Sequence, residues 1–233
     1  MTEITTLDNY TGHKKVNGLY QKIINQIPKH DMYVELFAGS AAICSLFTVP
    51  AATVVLNDIN PEVHNLLRVK FRNEKVHFWN TDALEFLPKM ETIWKKDVFV
   101  FLDPPYHHDT RPLATELYKH EMTNIDHIKL LRTVQSMKCD IMIIHPKCDL
   151  YDEYLHNWRK VEVKVRYHKK TQIECLYMNY PAPTELQDYS FLGNDCWERQ
   201  RISRKTDKYI EKFQKMPVLE RNCIIKKLNE LNQ

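Results

Sequence analysis

Asp103-Pro104-Pro105-Tyr106 is the stretch of the sequence whose residue types are best suited to chemistry. It follows five consecutive apolar residues, 98–102, which predict a strand buried on both faces of a parallel sheet. Each proline lacks an N–H and keeps the preceding residue extended, so the Asp103 and Pro104 carbonyls have fixed directions. A carboxylate and a carbonyl can accept both N–H donors of an amino group on a flat base, with Tyr106 stacking on its ring. The alternative is an ordinary proline turn in which Tyr106 only packs.

Three other predicted strand ends carry small or polar residues that suit a nucleoside. Residues 33–37 form a short strand that runs into 38–42, a turn of small residues that opens a predicted helix and lets a ligand approach the backbone. Asp58 follows the next apolar run, 19 residues after Gly39, near the spacing at which an acidic side chain reaches a ribose. Asp82 ends the third strand, where it could accept from an adenine amino group or cap the next helix. Because no G-x-G-x-x-G is present, a cofactor with a nucleoside and no phosphates fits better than a dinucleotide.

Strands alternate with helices along the chain, and the last two strands read as a hairpin around residues 168–170. This order predicts an open, mostly parallel α/β sheet with an antiparallel edge. Ligands bind such sheets at the carboxyl ends of the strands, so the four marked strand ends are expected on one rim. We predict a catalytic domain over residues 1–183 and a basic helical extension over residues 184–233.

Composition and cysteine usage favour a cytoplasmic protein. The six cysteines include no C-x-x-C pair, which favours free thiols in a reducing compartment over a zinc site. His107-His108 with Asp109 has no second cluster of ligands, so we expect no metal. The sequence has no apolar run of about 18 residues and its polar N-terminus lacks the apolar segment of a signal peptide, so we expect no membrane segment.

Positive charge is concentrated in the C-terminal tail. Residues 198–233 hold ten basic side chains against five acidic ones, although the whole chain has a net charge of only +3. Nucleic acid is the natural partner for such a tail, and a solvated helix face explains the charge equally well. The apolar residues of the tail indicate two helices separated near Pro217, which could pack against the domain or against a second copy in a homodimer.

Several motifs, taken in order, resemble those of the Dam-type DNA adenine-N6 methyltransferases, especially the small phage-borne members. The similar segments are residues 10–14, 34–40, 56–60, 103–106, 118–123, 154–159, 174–180 and parts of the tail. The resemblance implies a Rossmann-like class I methyltransferase with S-adenosylmethionine as cofactor and DNA as substrate, in the cytoplasm of a bacterial or phage-infected cell. It also implies base flipping and direct methyl transfer to N6 of adenine, with Asp103, Pro104, Pro105 and Tyr106 as catalytic residues.

The same resemblance gives the expected binding residues. Those expected to contact the cofactor are Tyr10, Lys14, Phe37, Gly39, Ser40, Asp58, Asp82 and Asp103. Those that we select as candidates for contact with nucleic acid, from the loop after the catalytic motif, the hairpin loop and the tail, are Arg111, His120, Lys169, Lys170, Arg199, Arg201, Arg204 and Lys205.

The sequence departs from the family pattern at three places. Ala41 replaces the usual second glycine of the Phe-x-Gly-x-Gly turn, and its methyl group is expected to crowd the methionine moiety of the cofactor. Gly12-His13 replaces the Gly-Gly before the motif lysine. Only 20 residues, 83–102, separate Asp82 from Asp103, which leaves no room for the recognition domain of full-length Dam-type enzymes.

Three alternative functions remain open on the sequence. The same fold could methylate adenine in RNA or N4 of cytosine, although Asp-Pro-Pro-Tyr favours adenine over cytosine. A relative from another functional class would be a catalytically inactive nucleic-acid-binding module, in which Ala41 blocks the cofactor and the basic tail does the binding.

Overall fold

The computed structural model describes residues 14, 16, 18–48, 50–72, 75–89, 97–111, 118–167 and 170–231. The chain divides into two compact units, residues 1–190 and residues 191–233.

The first unit is built on a seven-stranded sheet. Its strands are β1 (Met32–Glu35), β2 (Thr53–Asn57), β3 (Val76–Trp79), β4 (Val98–Leu102), β5 (Asp140–Pro146), β6 (Arg159–Tyr167) and β7 (Lys170–Met178). Their order across the sheet is β3-β2-β1-β4-β5-β7-β6. The first five strands are parallel, and β7 lies antiparallel to both β5 and β6. This arrangement confirms the predicted open, mostly parallel α/β sheet with its antiparallel edge hairpin.

Five helices accompany the sheet within the described part of the first unit. They are α1 (Leu19–Ile24), α2 (Pro61–Lys70), α3 (Ala83–Lys89), α4 (Asn124–Ser136) and α5 (Asp149–Tyr154). Helix α2 begins as the sequence predicts, with Pro61 in its first turn and Asn60 Oδ1 accepting from the Glu62 N–H at 3.0 Å. Helix α4 begins with a capping box between Thr123 and Asp126.

Strand β4 is the middle strand of the seven-stranded sheet and positions Asp103-Pro104-Pro105-Tyr106, which follow it directly. All five of its residues are buried, as predicted from their continuous apolar character. In the register of the sheet, Val100 lies beside Val34 of β1 on one side and Ile141 of β5 on the other. Because neighbouring parallel strands end at the same edge, the residues after β1, β2 and β4 meet on one rim.

The segment after β1 differs from the prediction. The small-residue turn leads only to a short 3-10 helix, Cys44–Leu46, where an α-helix was expected. Ala41 has a φ of 46°, in the left-handed region, which a continuous right-handed helix cannot include. Pro50 follows soon after and lacks the N–H that a longer helix would need.

The C-terminal tail is helical, and its first residues belong to the first unit. Leu186 forms an isolated bridge with Pro28, and Asp188 Oδ2 accepts from the Thr48 N–H at 2.6 Å and from its hydroxyl at 2.8 Å. These contacts extend the first unit to Ser190, beyond the predicted domain limit at residue 183.

The second unit consists of α6 (Cys196–Gln214) and α7 (Val218–Leu231). Neither helix contains a fully buried residue. The homodimer through these helices stays a prediction. No described helix is long and apolar enough to cross a membrane.

Candidate active site

Asn57, at the end of β2, ties three strand ends together. Its Nδ2 donates to the Leu36 carbonyl at 2.9 Å and to the Thr81 carbonyl at 3.0 Å. Its Oδ1 accepts from the Thr81 N–H at 3.1 Å. A buried amide whose donors and acceptor are all used fixes its neighbours, so the turns that follow β1, β2 and β3 are held side by side.

Asp58 lies beneath the turn that follows β1. Its Oδ2 accepts from the Gly39 N–H at 2.8 Å, and its Oδ1 accepts from the Asn60 N–H at 2.9 Å. Burial raises the pKa of Asp58, and these two backbone donors lower it in part. Each carboxylate oxygen keeps a second lone pair, so the side chain can still accept from a ligand hydroxyl.

A cavity lies on the rim above these turns, and most of the residues expected to bind a cofactor line it. The expected residues that line it are Lys14, Phe37, Gly39, Ser40, Asp58, Asp82 and Asp103. Tyr10 lies outside the described residues. The helix-cap interpretation of Asp82 is confirmed, since its Oδ1 accepts from the Leu84 N–H at 2.8 Å, at the start of α3. Asp82 also lines the cavity, and its contact with an adenine amino group stays a prediction. Contact between these residues and a cofactor stays a prediction.

Ala41 does not narrow this cavity. It is fully buried and is not among the residues that line the cavity, whereas both of its neighbours, Ser40 and Ala42, are. Its left-handed backbone conformation is the one that glycine adopts most readily. The turn therefore has a glycine-like backbone course with the methyl group buried outside the cavity, contrary to the expected crowding.

Lys14 and Asp103 form the buried ion pair at the centre of the site. Lys14 Nζ lies 2.7 Å from Asp103 Oδ1 and donates to the Tyr106 hydroxyl at 3.0 Å. The Tyr106 hydroxyl in turn donates to Glu174 Oε1 at 3.0 Å. The network joins the end of β4 to β7, across β5, which lies between them.

The protonation properties of this network follow from burial and charge. Burial raises the pKa of Asp103 to about 6, because the cost of an ionised carboxylate there exceeds the stabilisation from Lys14. Burial lowers the pKa of Lys14, but Asp103 and Glu174 more than compensate, so the net pKa of Lys14 is raised. Burial also raises the pKa of Glu35, on the cavity wall, to about 8, although the Tyr33 hydroxyl donates to it at 2.9 Å.

His145 fixes the chain immediately after Tyr106. Its Nε2 accepts from the His107 N–H at 2.9 Å, and its Nδ1 lies 2.8 Å from the Pro146 carbonyl, so the ring proton is assigned to Nδ1. The His145 ring stacks on Tyr151, with 4.0 Å between ring centroids. Burial lowers the pKa of His145 well below its usual value, which keeps Nε2 available as an acceptor.

Arg111, predicted to contact nucleic acid, has an internal role in the structure. Its side chain is 1% exposed and lies 2.6 Å from Glu121, and its Nε donates to the Tyr106 carbonyl at 2.8 Å. Because the Arg111 guanidinium already donates to a carboxylate and a carbonyl, it holds this loop in place and is not directed at a phosphate. His120 is exposed and lines the cavity.

The residues of the predicted catalytic motif differ in whether they reach the cavity. Asp103 and Pro105 line the cavity, whereas Pro104 is buried and Tyr106 is only half-buried and does not line it. Stacking of a base on Tyr106 therefore stays a prediction.

The predicted nucleic-acid contacts in the hairpin loop are only partly described. Lys169 lies outside the described residues, and Lys170 is described only as the first residue of β7. The predicted basic residues of the tail, Arg199, Arg201, Arg204 and Lys205, all lie on α6.

Sequence reasoning missed Glu35, Glu174 and His145. Glu35 interrupts the apolar run of β1, and a carboxylate in a buried strand is a recognisable sign of a functional or paired group. Glu174 and His145 likewise lie in apolar strands and are fully buried. Among the described residues, no group of three or more His, Cys, Asp or Glu side chains is arranged to hold a metal ion.

Comparison with known proteins extends these observations. Residues 10–90 match the family of D12 class N6 adenine-specific DNA methyltransferases. The matched range contains the turn after β1 and Asp58, and it ends before Asp103-Pro104-Pro105-Tyr106. No protein of curated function matches the sequence significantly.

Solved structures with a similar course of the chain include three of methyltransferase type. A SAM-dependent methyltransferase from Agrobacterium tumefaciens has 12% identity and a TM-score of 0.44, over 68% of this chain and 58% of that one. Precorrin-6y C5,15-methyltransferase from Geobacter metallireducens has 13% identity and a TM-score of 0.43, over 73% and 94%. SMU.776, complexed with SAH, has 11% identity and a TM-score of 0.46, over 68% and 48%.

The family match covers about a third of the chain, and the residues that it includes supply more than half of the cavity lining. Over residues 10–90 it confirms the resemblance to the D12 class N6 adenine-specific DNA methyltransferases.

Proposed function

We propose that this protein transfers a methyl group from S-adenosylmethionine to the N6 amino group of an adenine in DNA. The observation that carries the proposal is the position of Asp103, which ends the buried strand β4, lines the cavity and is paired with Lys14 at 2.7 Å. We further propose that the reaction takes place in the cytoplasm of a bacterial or phage-infected cell.

The chemistry of the cavity fits a positively charged nucleoside cofactor. The carboxylates of Asp58, which is buried, and of Asp103, whose side chain is 16% exposed, line it, and among the buried residues of the lining that the structure describes only Lys14 carries positive charge. The cofactor carries a sulfonium and an ammonium group, which carboxylates in a water-poor cavity attract strongly. Asp58 is positioned for ribose hydroxyls, and Gly39 allows a close approach of the ligand to the backbone.

Asp103 and the Pro104 carbonyl would act by alignment. When bound, S-adenosylmethionine supplies the methyl group. The adenine amino nitrogen is a weak nucleophile because its lone pair is delocalised into the ring. Accepting its two N–H groups at Asp103 and at the Pro104 carbonyl would favour a pyramidal nitrogen with its lone pair directed at the incoming methyl carbon. The nitrogen would form one bond to the methyl carbon as the bond from that carbon to the sulfonium sulfur breaks, and the bonding pair would stay on sulfur to leave a neutral thioether. The nitrogen would then release one proton, which ionised Asp103 can accept.

The flipped adenine would need an aromatic partner. Tyr106 is the last residue of the motif, and its ring is fixed because its hydroxyl accepts from Lys14 and donates to Glu174. Tyr118 lines the cavity and meets the Tyr106 ring edge-on, with 6.3 Å between centroids. Extrusion of the base costs a few kcal/mol, which stacking and hydrogen bonding in the pocket would offset.

The test is methylation of unmethylated DNA with labelled S-adenosylmethionine, followed by digestion to nucleosides and mass spectrometry. We expect methyl label on N6 of deoxyadenosine. Parallel reactions with RNA and with cytosine-only DNA separate the adenine-in-RNA and cytosine-N4 alternatives. Label on no nucleic acid, together with no cofactor binding by calorimetry, would reject the proposal in favour of an inactive binding module.

The Asp103→Ala variant tests the assignment of the catalytic carboxylate. We expect a loss of about 100-fold or more in rate at saturating DNA and cofactor. Glu62→Ala is a matched control, because Glu62 is an exposed carboxylate on α2 that pairs with Lys119 and does not line the cavity. Full turnover by Asp103→Ala would reject its role.

A further inference from the structure

Helix α6 separates its charged and apolar side chains onto different sides. With 100° between successive residues, one side of the helix collects Trp197, Arg201, Arg204, Lys205, Lys208 and Lys212. The apolar residues Ile202 and Phe213 follow a different side and are half-buried. We call the first group the basic stripe.

The cations of the basic stripe are mostly not neutralised within the described residues. Arg201 lies 3.2 Å from Glu198, one turn earlier in the helix. Arg204, Lys205, Lys208 and Lys212 form no ion pair with any described acidic side chain, and all four are exposed. Four like charges along about 12 Å of helix repel one another, so the stripe favours a polyanion that neutralises them together.

Trp197 begins the basic stripe and adds a second, independent feature. Its side chain is 77% exposed, although tryptophan is usually well buried. A shallow groove on this side of the helix is lined by Trp197, Gln200, Arg201, Arg204, Lys205 and Lys208. A row of cations that begins with an exposed aromatic ring is the combination with which proteins hold the backbone and stack on the bases of single-stranded nucleic acids.

We propose that the basic stripe of α6 binds the phosphate backbone of nucleic acid, with Trp197 stacking on an unpaired base. The choice of nucleic acid as the polyanion rests on the proposed function, whereas the charges and the exposed ring stand on their own. The basic stripe changes the set of tail residues predicted to contact nucleic acid. Lys208 and Lys212 are added, and Arg199 is removed because it lies on the opposite side of the helix. Contacts of this type are independent of sequence and supply affinity rather than recognition.

The experiment measures binding of the full-length protein to a fluorescent 30-nucleotide DNA, single-stranded or duplex, as a function of salt. The test variant carries Arg204→Gln and Lys208→Gln, and the control carries Lys226→Gln and Lys227→Gln on α7, which lose the same charge from exposed positions. The test variant should lower the salt slope by about 1.8 on the duplex, from about 0.9 per lost phosphate contact, and by about 1.4 on the single strand, from about 0.7 per contact. It should weaken binding on the order of tenfold or more at 0.1 M salt. Because these side chains are exposed, both variants should keep the helical content of the wild type.

Equal weakening by the test and control variants would overturn the proposal, because it would reflect net charge alone. Trp197→Ala should weaken binding to the single strand about tenfold more than binding to the duplex; equal effects on both would remove the stacking role. Cofactor binding, measured by calorimetry without DNA, should be unchanged in every variant. A protein that binds DNA through the stripe and methylates nothing would sustain this inference and reject the proposed function, so the two fail separately.

Discussion

Lys14 Nζ lies 2.7 Å from Asp103 Oδ1, and the exposed fractions of the two side chains are only 3% and 16%. A buried carboxylate that must be ionised to accept an amino N–H needs a cation nearby. Lys14 supplies it from a part of the chain 89 residues before the catalytic motif, and through Tyr106 it also reaches Glu174. The ion pair thus sets both the charge and the position of the proposed catalytic carboxylate.

The first prediction concerns the pH dependence of methyl transfer in Lys14→Met. The pKa of Asp103 is about 6, and activity of the wild type should fall as the pH falls through that value. Without the cation the pKa of Asp103 rises further, so the acidic limb of the pH–rate profile should move up by about 1–3 units. Removing one partner of a buried pair should also lower the free energy of unfolding by about 3–5 kcal/mol.

Lys14→Arg is the control for this prediction, because it keeps the charge and should keep the midpoint near that of the wild type. The profile is measured between pH 5 and 9 at saturating DNA and cofactor, at a temperature where the variant is folded. A lower rate with an unchanged midpoint in Lys14→Met would show that Lys14 does not act through the ionisation of Asp103.

The second prediction concerns His145→Phe. Phenylalanine keeps the ring that stacks on Tyr151 but leaves the His107 N–H buried without its acceptor, which costs about 1–3 kcal/mol. We expect that loss in the free energy of unfolding, together with a fall of roughly tenfold in kcat as the loop after Tyr106 loosens. Because His145 does not line the cavity, the Kd for S-adenosylmethionine should not change.

His30→Phe is the matched control for His145→Phe. His30 is also buried and stacks on an aromatic residue, Phe99, at 5.3 Å, but it does not line the cavity or contact the loop after Tyr106. It should lose stability with kcat unchanged. If both variants lose kcat in proportion to their loss of stability, His145 has no positioning role.

The convergence of Gly39, Asp58 and Asp103 on one cavity could be predicted from sequence because it depends on strand ends. Apolar runs followed by Gly39, Asp58 or Asp103 mark both the buried strand and its polar end, and parallel strands bring those ends together. The contribution of β7 could not be predicted in this way. Glu174 reaches Tyr106 only because β7 inserts antiparallel between β5 and β6, and strand order does not follow from local pattern.

Arg111 shows a second limit of sequence reasoning. An arginine in a polar loop has the same local pattern whether it faces a phosphate or the interior. Its role depends on Glu121, ten residues later, and on the Tyr106 carbonyl, which the loop brings within reach. The left-handed conformation of Ala41 was hidden for a similar reason, since alanine usually indicates helix and not a tight turn.

The third prediction is that Ala41→Gly stabilises the protein without changing cofactor affinity. A left-handed conformation costs alanine about 1–2 kcal/mol, which glycine avoids. Glycine in turn costs about 0.4–1 kcal/mol, because its unfolded chain has the greater entropy. We expect a net gain of up to about 1 kcal/mol by urea unfolding. Ala42→Gly, at a neighbouring position without positive φ, should instead destabilise the protein by about 0.5–1 kcal/mol. A marked gain in affinity for S-adenosylmethionine in Ala41→Gly, by calorimetry, would mean that the methyl group does crowd the cofactor.

The last prediction is that Glu35→Gln removes a pH dependence of stability. Burial raises the pKa of Glu35 from its ordinary value of 4.5 to about 8, so folding favours the protonated form. The wild type should therefore lose stability as the pH rises from 4.5 to about 8, by on the order of 3 kcal/mol or more. Glutamine cannot ionise and can still accept from the Tyr33 hydroxyl, so the variant should be the more stable protein at pH 8 and close to the wild type at pH 5.

Urea unfolding without cofactor across this range measures the difference, with Glu62→Gln on the exposed face of α2 as the control that should follow the wild type. Parallel curves for wild type and Glu35→Gln would mean that Glu35 is already ionised near its ordinary pKa, so the cavity would hold water enough to solvate it.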